Sequence, residues 1–145
     1  MIRSTVKTVA EIMSRKVLVA HPDHEFLPLC RLFLLMNIHH LPVVDREHRL
    51  IGILSANDVL KAISFKLPTL GKIDEQILNE RFPVLELMTP HPIETLCPED
   101  RIEVAARIFA SQNISCLPVL EGEQLVGLLT SRDLLNLLGK EEWVE

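Results

Sequence analysis

The chain has 145 residues, of which 48% are hydrophobic and 24% charged, and its formal net charge is −5. This length and composition are typical of one compact domain of a water-soluble globular protein. No run of Lys and Arg exceeds two residues, and no apolar stretch reaches the ~18 residues of a membrane span. We therefore expect neither nucleic acid nor a membrane as a partner.

Cysteine usage indicates the compartment. The three cysteines are odd in number and widely spaced, and they lie in or beside apolar runs (Cys30, Cys97 and Cys116). Such cysteines are typical of reduced, packed side chains, and the N-terminus has no signal-peptide pattern. We therefore predict a cytoplasmic protein.

The first half of the chain predicts five elements. Short apolar runs bounded by turn residues favour strands, and longer apolar patterns favour helices. The predicted order is strand, helix, strand, strand, helix, over Val17–Ala20, Glu25–Asn37, His40–Val44, Leu50–Leu54 and Ser55 to about Phe65. A hairpin turn is predicted at Asp45–Arg49.

A connecting segment, residues 66–82, follows this half. It contains Pro68 and Gly71, which break regular structure, and then the sequence IDEQILNER, which is compatible with a short helix. Its composition predicts the most mobile part of the chain.

The second half repeats the order of the first, with predicted elements at Pro92–Thr95, Arg101–Gln112, Cys116–Leu120, Leu125–Leu129 and Ser131–Leu138. The match extends to the letters, since LPVVDREHRLIGILSANDVLK at 41–61 corresponds to LPVLEGEQLVGLLTSRDLLN at 117–136. Upstream, Met13 corresponds to Met88. An internal repeat of this kind predicts a pseudo-symmetric body in which any ligand site occurs in two versions.

The first helices of the two halves differ. The helix of the second half is amphipathic, whereas Phe26–Ile38 (FLPLCRLFLLMNI) has Arg31 and Asn37 as its clear polar breaks. A helix that is apolar on nearly all sides needs cover on nearly all sides. The apolar residues on the outer side of this helix predict a subunit interface. The alternative is that the connecting segment or the N-terminal arm covers them.

Each half also delivers a Ser/Thr-x-x-Asp motif into a helix, with a glycine three residues before the hydroxyl. The motifs are Gly52, Ser55, Asn57 and Asp58 in the first half, and Gly127, Thr130, Arg132 and Asp133 in the second. One interpretation is a capping box, which needs no ligand. The other is a nucleotide site, in which the helix N-terminus attracts phosphate, the carboxylate accepts the ribose hydroxyls and the glycine admits the ligand or simply eases the sheet geometry.

The combined pattern resembles the CBS domain, named after cystathionine beta-synthase. The resemblance rests on h-h-Pro-Val-h-Asp/Glu, a turn and h-h-Gly-h-h-Ser/Thr-x-x-Asp, together with Ile12-Met13-Ser14 and Leu87-Met88-Thr89. It implies one CBS unit at 8–65 and a second at 83–139, which together form a Bateman module. The implied fold class is α/β (α+β), with two pseudo-symmetric βαββα units packed sheet to sheet, two clefts between them and frequent dimerisation.

Carried onto this sequence, the resemblance implies two ligand clefts. The main cleft combines Gly127, Thr130, Arg132 and Asp133 with His39, His40 and Pro42. The second combines Gly52, Ser55, Asn57 and Asp58 with Ser115, Cys116 and Pro118. Arg132 and the imidazoles favour phosphate in the main cleft, whereas the second offers neutral partners, so we expect unequal sites.

These patterns favour regulation over catalysis. No His-x-x-x-His or Cys/His cluster is present, so no metal site is predicted, and no nucleophile or acid/base pair stands out. We expect a regulatory, energy-sensing module that binds AMP, ADP, ATP or S-adenosylmethionine as ligand, with no catalytic cofactor. It would act on an unknown effector protein and form a homodimer through Phe26–Ile38. The alternative is a ligand-free dimerisation or protein-interaction module.

Overall fold

A computed structural model describes residues 7–140 of the chain. Its helices are α1 (Val9–Ile12), α2 (Phe26–Met36), α3 (Ala56–Lys66), α4 (Glu75–Arg81), α5 (Val84–Leu87), α6 (Ile102–Ser111) and α7 (Ser131–Lys140). Its strands are β1 (His40–Val44), β2 (Leu50–Ser55), β3 (Thr89–Pro90), β4 (Cys116–Glu121) and β5 (Gln124–Thr130). The predicted mixture of helices and small antiparallel sheets is confirmed.

The described residues form two compact units. The central unit consists of Leu18–Ile93, and the terminal unit consists of residues 7–17 together with 94–140. These units do not coincide with the two sequence repeats, because the segment that begins each repeat belongs to the unit that contains most of the other repeat.

Both units contain the predicted hairpin. In the central unit β1 pairs with β2, and Pro42 lies opposite Ile53. In the terminal unit β4 pairs with β5 in the corresponding register, with Pro118 opposite Leu128. The register shifts at the same place in both ladders, between Val43 and Val44 and between Val119 and Leu120, so the repeat extends to this irregularity.

The cores lie beneath these hairpins. The central core includes Leu41, Val43 and Leu54, all fully buried, while the terminal core includes Leu117, Val119 and Leu129. Along β2, buried and half-buried residues alternate, as expected for a strand with one face on the core.

The predicted strands at Val17–Ala20 and Pro92–Thr95 are wrong. Each is replaced by a single-residue parallel bridge, from Ala20 to Val43 in the first case and from Leu96, the residue after the second run, to Val119. Ala20 makes two backbone hydrogen bonds, donating to Pro42 O at 2.9 Å and accepting from Val44 N at 3.0 Å. A turn follows directly, so the pairing extends no further and the apolar runs add core residues rather than strands.

The short segments at the start of the two repeats, residues 9–14 and 84–89, are called lead segments here, and each pairs with a strand of the other repeat. In the terminal unit Ser14 and Leu128 exchange backbone hydrogen bonds of 2.9 and 3.0 Å. In the central unit β3 pairs with β2, with Thr89 opposite Ile53. Each lead segment therefore completes the sheet of the other repeat.

The connecting segment is anchored to the central unit, although its composition predicts mobility. Phe82 is fully buried and stacks on Phe26, with the ring centroids 4.6 Å apart. Lys66 Nζ donates to Arg81 O at 2.9 Å and pairs with Glu86 at 3.0 Å. The short helix predicted within IDEQILNER is confirmed as α4.

Helix α2 is covered on one side only. Phe26, Leu29 and Phe33 are buried, whereas Leu34 and Leu35 are 81% and 82% exposed. Cover from the connecting segment reaches the helix N-terminus, where Leu27 N donates to the Asn79 side chain at 3.2 Å. None of the helices within residues 7–140 is long and apolar enough to cross a bilayer.

Candidate functional site

The two Ser/Thr-x-x-Asp motifs lie where a strand passes directly into a helix, at the β2–α3 and β5–α7 junctions. In the central unit Asp58 N donates to Ser55 Oγ at 2.9 Å, and Ser55 N donates to Asp58 Oδ2 at 3.1 Å. In the terminal unit Asp133 N donates to Thr130 Oγ1 at 3.2 Å, and Thr130 N donates to Asp133 Oδ2 at 2.8 Å. The capping-box interpretation is confirmed at both junctions.

The caps leave part of each junction open to a ligand. The first amides of the helices are engaged, since Ala56 N donates to His39 O and Ser131 N to Ser115 O. Within residues 7–140, the groups that remain are Oδ1 of each aspartate, the hydroxyl hydrogen of Ser55 or Thr130, and the amide of the second helical residue. A carboxylate oxygen beside a free amide is suited to a ligand that offers both a hydroxyl and an acceptor.

In the central unit, imidazoles lie beside this junction. His40 is opposite Ser55 in the β1–β2 ladder, and His39 precedes it. Burial lowers the pKa of His40, the positive charge of His39 lowers it further, and the Asp58 carboxylate opposes the shift. His40 is therefore biased towards the neutral form in the structure described.

In the terminal unit, a thiol takes the equivalent position. Cys116 lies opposite Thr130 and is buried. Burial raises the pKa of the Cys116 thiol to about 12, and the negative charge of Asp133 adds to the effect. The thiol therefore stays protonated at physiological pH and is not a nucleophile.

The structure groups the predicted site residues by unit. The central unit brings together the Ser55–Asp58 motif, His39, His40 and Pro42. The terminal unit brings together the Thr130–Asp133 motif, Ser115, Cys116 and Pro118. The predicted clefts combine these sets the other way, and that combination stays a prediction. Arg132, Asn57, His39 and Ser115 are exposed, whereas Pro42 and Pro118 are buried.

The motif glycines accommodate methionines. A Cβ placed on Gly52 would lie 2.6 Å from Met88 Sδ and 2.6 Å from Thr89 O, closer than real Cβ contacts. A Cβ on Gly127 would meet Met13 Sδ and would lie 3.1 Å from Ser14 O. Met13 and Met88 are 75 residues apart, as are Gly52 and Gly127, and this shared offset shows that both residue types belong to the repeat. It did not reveal that each Met packs on the glycine of the other repeat.

A groove in the terminal unit was not anticipated from the sequence. It has a volume of about 280 Å³ and lies between α1 and α7, lined by Glu11, Ile12, Asp133, Asn136, Leu137 and Lys140. The four α7 residues follow the i, i+3, i+4, i+7 spacing of one helix face, a pattern visible in the sequence. The contribution of α1 was not visible, because α1 belongs to the first repeat and α7 to the second. Within the described range no cluster of three or more His, Cys, Asp or Glu residues is arranged to hold a metal ion.

Comparison with known proteins gives a family match over both repeats. The model of the CBS domain family matches residues 9–65 and 84–140. The L-aspartate semialdehyde sulfurtransferase of Methanocaldococcus jannaschii is 28% identical over 94% of this chain, which corresponds to 24% of that enzyme. The chain thus spans about a quarter of the length of the first curated relatives it matches.

Solved structures of similar length also match. The CBS domain pair of protein MJ0100, in complex with 5′-methylthioadenosine and S-adenosyl-L-methionine, has a TM-score of 0.76 and 26% identity, covering 93% of this chain and 98% of that chain. CBSX2 in complex with AMP has a TM-score of 0.74 and 25% identity, covering 90% of this chain and 94% of that one.

Proposed function

Because this chain belongs to the CBS-domain family and carries two copies of that domain, we propose that it is a regulatory module that binds AMP, ADP, ATP or a related adenosyl compound such as S-adenosylmethionine. The observation that carries the proposal is the repeated junction at β2–α3 and β5–α7. At each junction, one carboxylate oxygen and one helix amide remain available beside the hydroxyl that caps the helix. Both solved relatives described above bind adenosyl ligands.

The two junctions would contribute unequally. We assign the main site to Gly127, Thr130, Arg132 and Asp133 with His39, His40 and Pro42, and the second site to Gly52, Ser55, Asn57 and Asp58 with Ser115, Cys116 and Pro118. The aspartates would accept the ribose hydroxyls, in the manner of acidic residues in other nucleotide folds. The glycines would act indirectly, because methionine sulfurs occupy the space beside them.

The conformational change that follows binding would act on another polypeptide, or on another part of a longer polypeptide that contains this module. A ligand shifts a conformational equilibrium only by its differential affinity for the two states, so the module needs an effector to transmit that shift. We propose that the module itself is not catalytic. The enzyme names of its relatives belong to proteins about four times its matched length.

Thermal-shift titration with AMP, ADP, ATP and S-adenosylmethionine tests the binding proposal. A ligand at 100 times its Kd stabilises by about 2.7 kcal/mol, which raises Tm by roughly 5–10 °C at this size. Asp133→Ala should lower the starting Tm through loss of the cap and also abolish the ligand shift. Asp58→Ala is the matched control, since it loses the same cap and should keep the shift at the main site.

The contrary result would be a wild-type protein whose Tm responds to none of the four compounds. Equal shifts in wild type and Asp133→Ala would also contradict the assigned role of the carboxylate, and would leave the aspartate with the capping role alone.

The exposed face of α2 favours dimerisation as a second function, with or without a ligand. Leu34, Leu35 and Met36 are 81%, 82% and 53% exposed at one helix end. A second copy brings the same apolar patch and so forms a self-complementary, two-fold contact. We therefore propose a homodimer through α2.

Sedimentation analysis tests the dimer. Leu35→Glu should convert it to a monomer, because the interface would bury an unpaired charge. Leu135→Glu, at a 66% exposed leucine of α7, is the matched control and should remain dimeric. A monomeric wild type, or a dimer that survives Leu35→Glu, would contradict this proposal.

A further inference from the structure

We propose that the groove between α1 and α7 holds the 5′ substituent of an adenosyl ligand, and that it favours a substituent ending in an amino-acid group over one ending in phosphate. This inference rests on the proposed function, because it places the ribose at Asp133. It adds a chemical class of ligand that the repeated motif alone does not specify.

The groove begins at the carboxylate assigned to the ribose. Asp133 lines it near the start of α7, and Lys140 lines it at the end. Seven residues of helix separate these two side chains, a rise of about 10 Å. A substituent that leaves the ribose beside Asp133 can therefore extend along the helix towards Lys140.

The charges of the groove oppose phosphate. Glu11 and Asp133 contribute two negative charges and Lys140 one positive charge, so the lining carries a net charge of −1. A chain of phosphates would bring like charge against two carboxylates. Arg132 and the imidazoles of His39 and His40, on which the phosphate interpretation depends, are not part of the lining.

The same charges suit an amino-acid group attached through a positively charged or neutral linkage. The ammonium of such a group can pair with Glu11, and its carboxylate with Lys140, which are charge-assisted contacts. Asn136 supplies both a donor and an acceptor, while Ile12 and Leu137 provide apolar surface for the connecting methylene groups.

The size of the groove fits part of a ligand. Its volume of about 280 Å³ lies just below the ~300–1,000 Å³ of complete small-molecule sites. A substituent of about nine non-hydrogen atoms beyond the ribose, such as the methionyl group of S-adenosylmethionine, fits this space, and the base must lie elsewhere.

Isothermal titration of the full chain with S-adenosylmethionine and AMP tests the inference. We expect the wild type to bind S-adenosylmethionine more tightly than AMP. Glu11→Gln should weaken S-adenosylmethionine about two- to fivefold, as expected for one solvent-accessible charge pair, and leave AMP unchanged or tighter. Lys140→Met should also weaken S-adenosylmethionine.

The variants are chosen so that folding does not confuse the result. Glu11 Oε2 accepts from Thr8 N at 2.6 Å at the start of α1, and glutamine can keep this capping bond. Glu103→Gln removes a carboxylate from α6 of the same unit, outside the groove, and should change neither affinity. Salt should reduce the preference, because it screens exposed charges.

The outcomes separate the two proposals. If AMP binds more tightly and Glu11→Gln changes neither ligand, the groove inference is overturned and the proposed function stands. If neither ligand binds, the groove inference is overturned, and if ADP and ATP also fail to raise Tm, the proposed function is overturned with it. If Glu11→Gln and Glu103→Gln lower the affinity for S-adenosylmethionine equally, the change in net charge, rather than a contact in the groove, lowers the affinity. That result would also overturn the groove inference.

Discussion

The central and terminal units build the same junction between a strand and a helix, but they surround it with different side chains. In the central unit the residue opposite the capping hydroxyl is His40, and in the terminal unit it is Cys116. Burial moves both pKa values away from the physiological range, downward for the imidazole and upward for the thiol. The repeat therefore preserves the backbone and the cap, while the chemistry beside the cap has diverged.

The surfaces of the units have diverged as well. The central unit exposes Leu34 and Leu35 on α2 almost completely, whereas the most exposed large apolar residue of α6 is Val104, at 39%. The terminal unit carries the groove between α1 and α7 instead. The exposed apolar helix face and the groove therefore lie in different units.

The connecting segment distinguishes the units most strongly. Phe82 is fully buried against Phe26, so Phe82→Ala should destabilise the central unit by about 3–5 kcal/mol. Urea denaturation followed by hydrogen exchange would locate the loss. Phe65→Ala, at a phenylalanine that is 80% exposed, is the control and should be nearly neutral. A loss shared equally by both units would show that they unfold as one.

The glycine–methionine contacts allow a finer comparison of the units. Gly52→Ala would set its methyl group against the carbonyl oxygen of Thr89, which is backbone and cannot easily move, whereas Gly127→Ala mainly meets the flexible Met13 side chain. We expect both to destabilise by about 1–3 kcal/mol, with Gly52→Ala the worse.

Double-mutant cycles measure this difference between the glycines. Truncating the Met13 side chain should restore much of the stability that Gly127→Ala loses, because the added methyl group meets mainly that side chain. Removing Met88 should recover little of the cost of Gly52→Ala, since the Thr89 carbonyl remains. Equal recovery in the two units would contradict the difference that the structure shows.

The smallest expected effect is one of pH. The pKa of His40 is lower in the folded chain than its ordinary value of about 6.5, so the unfolded chain binds more protons between the two values. The free energy of unfolding should therefore be highest above pH ~6.5 and should fall on acidification until the folded pKa is passed. His40→Asn should remove this part of the pH dependence in urea titrations.

The control for His40 is His48→Asn, at an exposed residue of the β1–β2 turn with φ of 63°, a conformation that asparagine tolerates. It should keep the pH dependence of the wild type. The terminal unit should show no counterpart in this acidic range, because the Cys116 thiol stays protonated there in the folded and the unfolded chain alike.

The sequence predicted the local elements well because their causes are local. The hairpins followed from apolar runs around turn residues such as Asp45, whose carboxylate accepts from Glu47 N at 3.0 Å. The caps followed from Ser55 and Thr130, since a hydroxyl three residues before an acid can close its own first turn. The repeat and the family followed from the same short patterns.

The sequence-based predictions were wrong or incomplete where a segment packs against residues far away in the sequence. The run Val17–Ala20 has the composition of a strand, yet a single bridge to Val43 is all the pairing that it makes. Composition also did not reveal that Phe82, at the end of the connecting segment, belongs to the central core, and the mobility of that segment stays a prediction.

By itself, the sequence determined the fold class, the two repeats and the residues of the Ser/Thr-x-x-Asp junctions, because hydrogen bonds and hydrophobic periodicity within a few residues specify them. Only the tertiary structure decided that each lead segment closes the other repeat, with Met13 on Gly127 and Met88 on Gly52. Each repeat has a glycine at the corresponding strand position, so the local sequence around a methionine cannot show which of the two glycines it contacts. The choice depends on packing across the whole chain, and the groove beside Asp133 exists because of that choice.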